Sequence, residues 1–273
     1  MRPGYCSAET RVSVAQQTRA GIQVVRTQGF VKIRRVYQFF TTGWERYYGV
    51  ANNSVRNAVR AISERVFFVE QDGEFVPTPR PTMPFANKVE VFRRRLRHHL
   101  PSTTRWSHQQ VVDIYSGRKK TVYLNAMDSL AQRPLTAWDA SVTAFIKAEK
   151  ILDTAKAPRI IQPRSPRYGL ELATYIKPVE HSIYRAIARV YGEVTVMKGF
   201  NAEQEGAIAK RSWDEFARPV AIGIDAKRFD QHCSIDSLRY EHGVYLQCFP
   251  PNQRAFLAQL LAWQLRNRGR CYA

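Results

Sequence analysis

The chain has 273 residues, and its 42 Lys and Arg against 23 Asp and Glu give a formal net charge of +19 at pH 7. With 44% hydrophobic and 12% aromatic residues it lies in the globular range, which excludes disorder as the main state and allows one large domain or two ordinary ones. No run approaches the roughly 18 apolar residues of a membrane span, and no apolar stretch follows the charged start, so a soluble, non-secreted chain is expected. Four cysteines (Cys6, Cys233, Cys248, Cys271) without a CxxC pair argue against a disulfide framework or a ribbon-type zinc site. So large a positive excess repels itself unless a polyanion is the working partner; nucleic acid leads, and an anionic membrane surface is the alternative.

Residues 1–35 are polar and basic, and Phe39 to Glu70 is aromatic and apolar. Val55, Ala58, Val59 and Ile62 recur at helical spacing, predicting a helix from a Ser54 cap to Val69. Pro77, Pro79, Pro81 and Pro84 exclude regular helix and mark a surface connection. A basic helix is predicted from Lys88 to Leu100; its Arg93-Arg94-Arg95-Leu96-Arg97-His98-His99 run reads either as a solvated face or as a phosphate-tracking one. Short strands follow at Phe145 to Ala148 and Arg159 to Gln162. Two helices come next, Leu170 to Tyr191, interrupted near Pro178, and Ala202 to Phe216, capped by Asn201. Val220 to Ile224 is an apolar run of strand length, predicted as a buried central strand that stops at Asp225. Helices from Ile235 to Phe249 and Arg254 to Leu265 complete a mixed pattern, α/β or α+β.

A carboxylate on the last residue of a buried strand is held where the sheet meets solvent, the placement a hard divalent cation needs if it must also touch phosphate. Asp225 is therefore the candidate metal ligand; the other reading is an Asp that caps the next turn. The second feature is a basic string, Lys147, Lys150, Lys156, Arg159 and Arg164. Cations on a short strand pair beside a prolyl bend project along one edge, and Arg grips a triphosphate bidentately. The other reading is an ordinary exposed basic hairpin.

Taken in order, Lys156-Ala157-Pro158-Arg159-Ile160-Ile161-Gln162-Pro163-Arg164, Pro166-Arg167-Tyr168-Gly169, Tyr175-Ile176-Lys177-Pro178, Lys198-Gly199-Phe200-Asn201 and Asp225-Ala226-Lys227-Arg228-Phe229-Asp230-Gln231-His232 form one pattern. It resembles the RNA-directed RNA polymerase of the tombusvirus family and related plant positive-strand RNA viruses. Tyr48-Gly49-Val50-Ala51-Asn52, Glu64-Arg65-Val66-Phe67-Phe68 and Tyr115-Ser116-Gly117-Arg118-Lys119-Lys120 extend the resemblance upstream.

The resemblance implies an α+β right-hand polymerase: fingers through residue 180, a partial palm from 181 to 235, and a returning fingers segment from 236 to 273. Lys150, Lys156, Arg159 and Arg164 would bind the incoming nucleotide. Asp225 would be the first catalytic, metal-binding carboxylate, for Mg²⁺ or Mn²⁺, and Asp230 would sense the ribose 2′-hydroxyl. On their charge, rather than on the resemblance, Arg93, Arg94, Arg95, Arg97 and Lys147 are the candidates for RNA contact. Implied partners are viral RNA template and product, nucleoside triphosphates and a viral membrane-anchoring replication protein, in the host cytoplasm at membrane-associated replication sites.

The sequence departs from the family in holding no Asp-Asp pair and in stopping before the Ser-Gly-x3-Thr-x3-Asn element. Ser116 to Asn125 fits that element letter for letter, but it precedes Asp225 and carries three cations, so it reads as a fingers segment. A truncated piece is expected, lacking thumb and remaining palm motifs and unable to incorporate nucleotides by itself. Its incomplete sheet would expose strand edges and apolar surface, with poor solubility. The competing readings are a non-catalytic basic RNA-binding protein, tracking a strand with its charge and with Trp44, Tyr47, Tyr48, Trp106 and Tyr115, and a metal nuclease using Asp225 and Asp230 with Glu241 or His232. His232, Cys233, His242, Cys248, Trp213 and Phe216 read as packing residues.

Overall fold

In the computed structural model, which describes residues 2–4, 34, 36–38, 49–79, 82, 85–151 and 156–271, β1 (Arg2–Gly4) and β2 (Val36–Gln38) pair antiparallel. Trp44, Tyr47, Tyr48, Pro81 and Pro84 lie outside the described residues. The Ser54 hydroxyl accepts from the Asn57 amide at 3.3 Å and starts α1 (Val55–Ile62), as its sequence predicts. The helix does not continue to Val69. It widens into a π-turn at Ser63–Phe67, then becomes β3 (Phe68–Gln71), paired antiparallel with β4 (Glu74–Pro77). Asp72 (φ 52°) and Gly73 (φ 81°) close the hairpin, and an Asp-Gly turn after aromatic and β-branched residues favours strand over helix.

The basic helix forms as α2 (Phe85–Arg97). Its Leu96 is buried and Phe92 packs against the main core. Next come α3 (His108–Asp113), started by a Ser107–Gln110 capping box, and α4 (Gly117–Gln132), so the segment from Gly117 to Asn125 is helical with Ser116 at its N-cap. A 3₁₀ turn at Ala137–Ala140 leads into β5 (Val142–Ile146), which buries alternate residues. It pairs antiparallel with β6 (Ile160–Ile161) and parallel with β7 (Gly269–Cys271), which returns from far along the chain.

The long helix α5 (Pro166–Tyr191) opens on a Ser165 cap and ends at Gly192, left-handed at φ 85°. Pro178 does not interrupt it. Proline leaves the carbonyl one turn earlier, that of Thr174, without its helical donor. The Trp106 N–H donates to that carbonyl at 2.8 Å, so a strap from another part of the chain supplies the missing bond. The same strap is tied by Thr103 N–H to the Cys248 carbonyl (2.9 Å) and by Arg105 N–H to Gln253 Oε1 (2.9 Å). The expected fingers-to-palm boundary at residue 180 falls inside α5.

Asn201 and Gln204 cap α6 (Ala202–Asp214) reciprocally. Of this helix Ile208 alone is buried, and Trp213 (49% exposed) and Phe216 (63%) stand in solvent, not in the core as their sequence suggests. The predicted central strand is likewise absent. Val220, Ile222 and Ile224 are 80%, 80% and 92% exposed, and no described strand pairs with them. An apolar run becomes a strand only against a partner edge, and among the described residues none reaches it. A 3₁₀ turn at Phe229–His232 precedes α7 (Ile235–Gln247) and α8 (Pro251–Ala262). The main core gathers Leu96, Tyr168, Tyr175, Val179, Phe249, Leu257 and Leu260 from α2, α5, α8 and the connection between α7 and α8. His242 and Cys248 are buried with it, whereas His232 and Cys233 are not. The chain is a mixed helix and sheet fold.

Candidate functional site

Three segments distant in the sequence converge beside the β5–β6 hairpin. The Lys147 N–H donates to the Arg159 carbonyl at 2.8 Å, which sets the two residues opposite each other across the hairpin. Glu149 lies between them, 2.9 Å from Lys147 Nζ and 3.2 Å from Arg159 Nε. Arg65 reaches in from the π-turn and donates through Nε to the Ala157 carbonyl at 2.8 Å. Burial lowers the Arg65 pKa, and the positive charges of Arg228 and Arg159 lower it further. The carboxylates of Glu149 and Glu64 act in the opposite direction. Glu64 is engaged elsewhere, 2.6 Å from Arg60 Nε.

The third segment carries Asp225 and Asp230. Arg228 adopts a left-handed backbone (φ 56°, ψ 49°), and its Nη1 donates to the Glu64 carbonyl at 2.5 Å. Gln231 Nε2 donates to the Phe68 carbonyl at 2.9 Å. These two bonds dock the acidic loop onto the π-turn and the start of β3. Asp225 and Asp230 are both exposed, and their carboxylates make no hydrogen bond or ion pair with a described residue. A hard divalent cation takes six or more oxygens. Among the described residues no three His, Cys, Asp or Glu come together, so the residues present do not complete a metal site.

Lys150 and Lys156 are exposed near the same hairpin. Arg164 has a partly structural placement: its Nη1 donates to the Ala140 carbonyl, its Nη2 to Asn267 Oδ1 at 2.6 Å, and its guanidinium stands 5.5 Å from the Tyr168 ring centroid. Burial lowers its pKa. Arg164 also lines a cavity of about 450 Å³ with Arg118, Lys119, Tyr123, Pro166 and Gly169, between α4 and the start of α5. Lys119 Nζ sits 4.0 Å from the Tyr115 ring centroid. Cations beside an aromatic wall suit an anionic, flat ligand such as a nucleotide unit of RNA. Arg93, Arg94, Arg95 and Arg97 lie apart from this, exposed on α2.

The family model described as viral RNA dependent RNA polymerase matches residues 22–273. The chain belongs to that family. It is 43% identical over 252 residues to the RNA-directed RNA polymerase of Tobacco necrosis virus (strain D), covering 91% of this chain and 35% of the relative. For Turnip crinkle virus the identity is 44% over 242 residues, 87% of this chain and 31% of the relative. For Melon necrotic spot virus it is 43% over 274 residues, 99% and 34%. The tombusvirus-type viral polymerase resemblance is thereby established, and the chain spans about a third of the length of the curated relatives it matches.

Of the residues gathered beside the hairpin and the cavity, sequence reasoning names Lys147, Arg159, Asp225 and Asp230 and passes over Arg65, Arg228 and the Arg118–Tyr123 wall. Arg65 and Arg228 both lie in stretches that carry the family resemblance. An arginine inside an aromatic and apolar run, Glu64-Arg65-Val66-Phe67-Phe68, is the available signal, because so strongly hydrated a group is rarely buried unless it is paired.

Proposed function

We propose that this chain is the nucleotide-receiving part of a viral RNA-directed RNA polymerase, comprising fingers and the first segment of the palm. The reaction is attack of an RNA 3′-hydroxyl on the α-phosphate of a nucleoside triphosphate, forming a phosphodiester and releasing pyrophosphate. Lys147, Arg65, Arg159 and Arg228, with Lys150, Lys156 and Arg164 around them, hold the triphosphate and offset its charge. Asp230 reads the ribose 2′-hydroxyl. Asp225 offers one carboxylate toward Mg²⁺ or Mn²⁺, and the remaining ligands belong to the part of the relatives that this chain does not span. The cavity beside Tyr123 takes template RNA. Residues 181–235 belong to the palm, sharing α5 with the fingers, and 236–273 return to the fingers. No helix among the described residues is long and apolar enough to cross a membrane, and a membrane-anchoring viral partner in the host cytoplasm belongs to the same reading.

The observation that carries the proposal is that the π-turn joins the acidic loop to the basic hairpin, accepting from Arg228 at the Glu64 carbonyl and donating from Arg65 to the Ala157 carbonyl. A pure RNA-binding module has no use for two unpaired carboxylates beside its cations, so the binding-protein reading is not favoured. The test is ATP binding by the purified chain, measured by equilibrium dialysis. Arg159→Gln is expected to weaken it about tenfold or more, since a hydrogen bond to a charged group contributes about 1.5–3 kcal/mol. ATP affinity equal to that of the parent in both Arg159→Gln and Arg65→Gln would overturn the assignment.

A further inference from the structure

The stretch between α5 and the docked acidic loop is held at its ends and hardly anywhere between. From Phe200 to Lys227, α6 included, Ile208 is the one buried side chain, and only Ser212 and Pro219 are half-buried. Among the described residues, no hydrogen bond or ion pair joins this stretch to another helix or to the hairpin. Ser212 Oγ donates to Glu193 Oε2 at 3.2 Å, which ties α6 back to the connection that leads into it. Downstream, the stretch ends at the bonds of Arg228 to the Glu64 carbonyl and of Gln231 to the Phe68 carbonyl. Upstream, the connection begins at the left-handed Gly192, a backbone conformation that costs other residues strain. Its polar tie to α5 is one cluster. Lys198 Nζ donates to Glu180 Oε1 and lies 5.9 Å from the Tyr184 ring centroid. The next residue, Gly199 (φ 102°), is pressed on His181, where a Cβ would lie 3.2 Å from the imidazole. Glu180 is 12% exposed and collects two more donors along α5, Lys177 Nζ at 2.9 Å and Tyr184 OH at 3.1 Å.

We propose that residues 193–227 are a hinged arm and that Glu180 is the positioning residue that latches it. With Lys198 on Glu180 the arm lies against α5; with the pair broken it turns about Gly192 at one end and the Arg228 dock at the other. Hinges are a few residues at element ends that absorb backbone rotation, and Gly192, which closes α5, is such a residue. The body between the hinges buries little apolar surface, which places it at the low-stability end of the molecule. The latch is built to open without unfolding anything. Lys198 is 60% exposed, so its charge stays in water when it leaves, and Glu180 keeps Lys177 and Tyr184. Asp225 lies just before the dock, so opening re-aims its carboxylate while Arg228 and Gln231 keep the loop on the π-turn and β3. That last consequence rests on the polymerase reading; the arm and its latch do not.

Double electron–electron resonance on the full chain tests this, with Cys6→Ser, Cys233→Ser and Cys271→Ser as background and nitroxides attached through Arg185→Cys on α5 and Ala207→Cys on α6, both exposed positions. The parent is expected to give one narrow distance. Lys198→Met is expected to add a longer one, the open share rising about fivefold, the upper value for a partly exposed ion pair. Lys198→Arg keeps the pair and is expected to restore the parent's distribution. Added salt is expected to open the arm of the parent and to leave that of Lys198→Met unchanged, because screening acts only where a pair exists. The melting midpoint is expected to stay the same in all three. A second label pair, through Ala148→Cys and Ala226→Cys, is expected to keep its mean distance and to widen in Lys198→Met. Identical distributions for the parent and Lys198→Met overturn the latch, and so does an arm already spread over many distances in the parent. Movement of α6 without widening at Ala226 overturns the role of Glu180 toward Asp225. If the arm responds as expected although the parent binds no ATP, the arm stands and the polymerase reading of the hairpin falls.

Discussion

Replacing Arg167 with leucine is expected to destabilise the chain by about 3–5 kcal/mol, the cost of removing one partner from a buried ion pair. The side chain is 8% exposed and all three guanidinium nitrogens donate: Nε to Asp139 at 2.9 Å, Nη1 to Ser129 Oγ at 2.7 Å, Nη2 to the Arg133 and Pro134 carbonyls at 3.0 and 2.9 Å. Asp139 in turn accepts from Thr136 N–H at 3.0 Å, and its carbonyl accepts from Ser165 N–H at the start of α5. Leucine fills some of the volume but leaves a carboxylate and two carbonyls without their donor. Lysine keeps the charge, yet a single ammonium cannot span four acceptors, so Arg167→Lys is expected to recover only part of the stability. Thermal unfolding followed by circular dichroism reads the effect; a midpoint within a degree or two of the parent for Arg167→Leu would sink the account.

Glu171→Gln is expected to cost about 2–3 kcal/mol at neutral pH and to flatten the acid limb of the stability curve. Glu171 lies 2.7 Å from Arg105 Nη2 and 2.7 Å from His108 Nε2, and it joins the strap to α5. Burial pushes its carboxyl up, but the bond with His108 and the Arg105 charge outweigh that and hold it below the usual carboxylate range. Glu180, beside Lys198, Lys177 and Tyr184, is held down to about 2. With folded values depressed, the unfolded chain binds more protons just below its own carboxylate pKa of about 4.3. The stability these pairs contribute is therefore full above that pH and drains away as pH falls through the folded values. Urea unfolding at pH 7, 5 and 3 is the check. If the glutamine variant loses as much stability between pH 5 and 3 as the parent does, Glu171 is not the group responsible.

Local signals prove legible wherever the decisive partner lies within a turn or two. Ser54 and Asn201 cap their helices through residues three positions on, and α7 and α8 follow their apolar spacing. Pro178 misleads because the donor that rescues its turn, Trp106, comes from a strap no local rule could place. The helix expected through to Val69 gives way to a hairpin whose Asp72-Gly73 turn is in plain view but outweighed by the apolar spacing before it. Val220 to Ile224 fails for a third reason: apolar composition states what a segment needs, not whether anything meets the need. The site divides in the same way. Lys147 and Arg159 are neighbours by strand pairing and can be read from one string, whereas Arg65 and Arg228 join them only through tertiary contacts from far along the chain.

The exposed run from Val220 to Ile224 carries no charge, and Arg218 and Asp225 are the charged residues that bracket it. Uncharged, β-prone windows of this kind seed cross-β association, and flanking charges act as gatekeepers against it. Asp225 therefore stands in two roles at once, as the proposed metal carboxylate and as the gatekeeper at one end of the window. The substitution an enzymologist would make first, Asp225→Asn, removes both. It is expected to raise light scattering at concentrations where the parent stays clear, so a loss of function in that variant would conflate chemistry with self-association. Asp225→Glu keeps the charge while displacing the carboxylate, and light scattering across the three proteins separates the two roles.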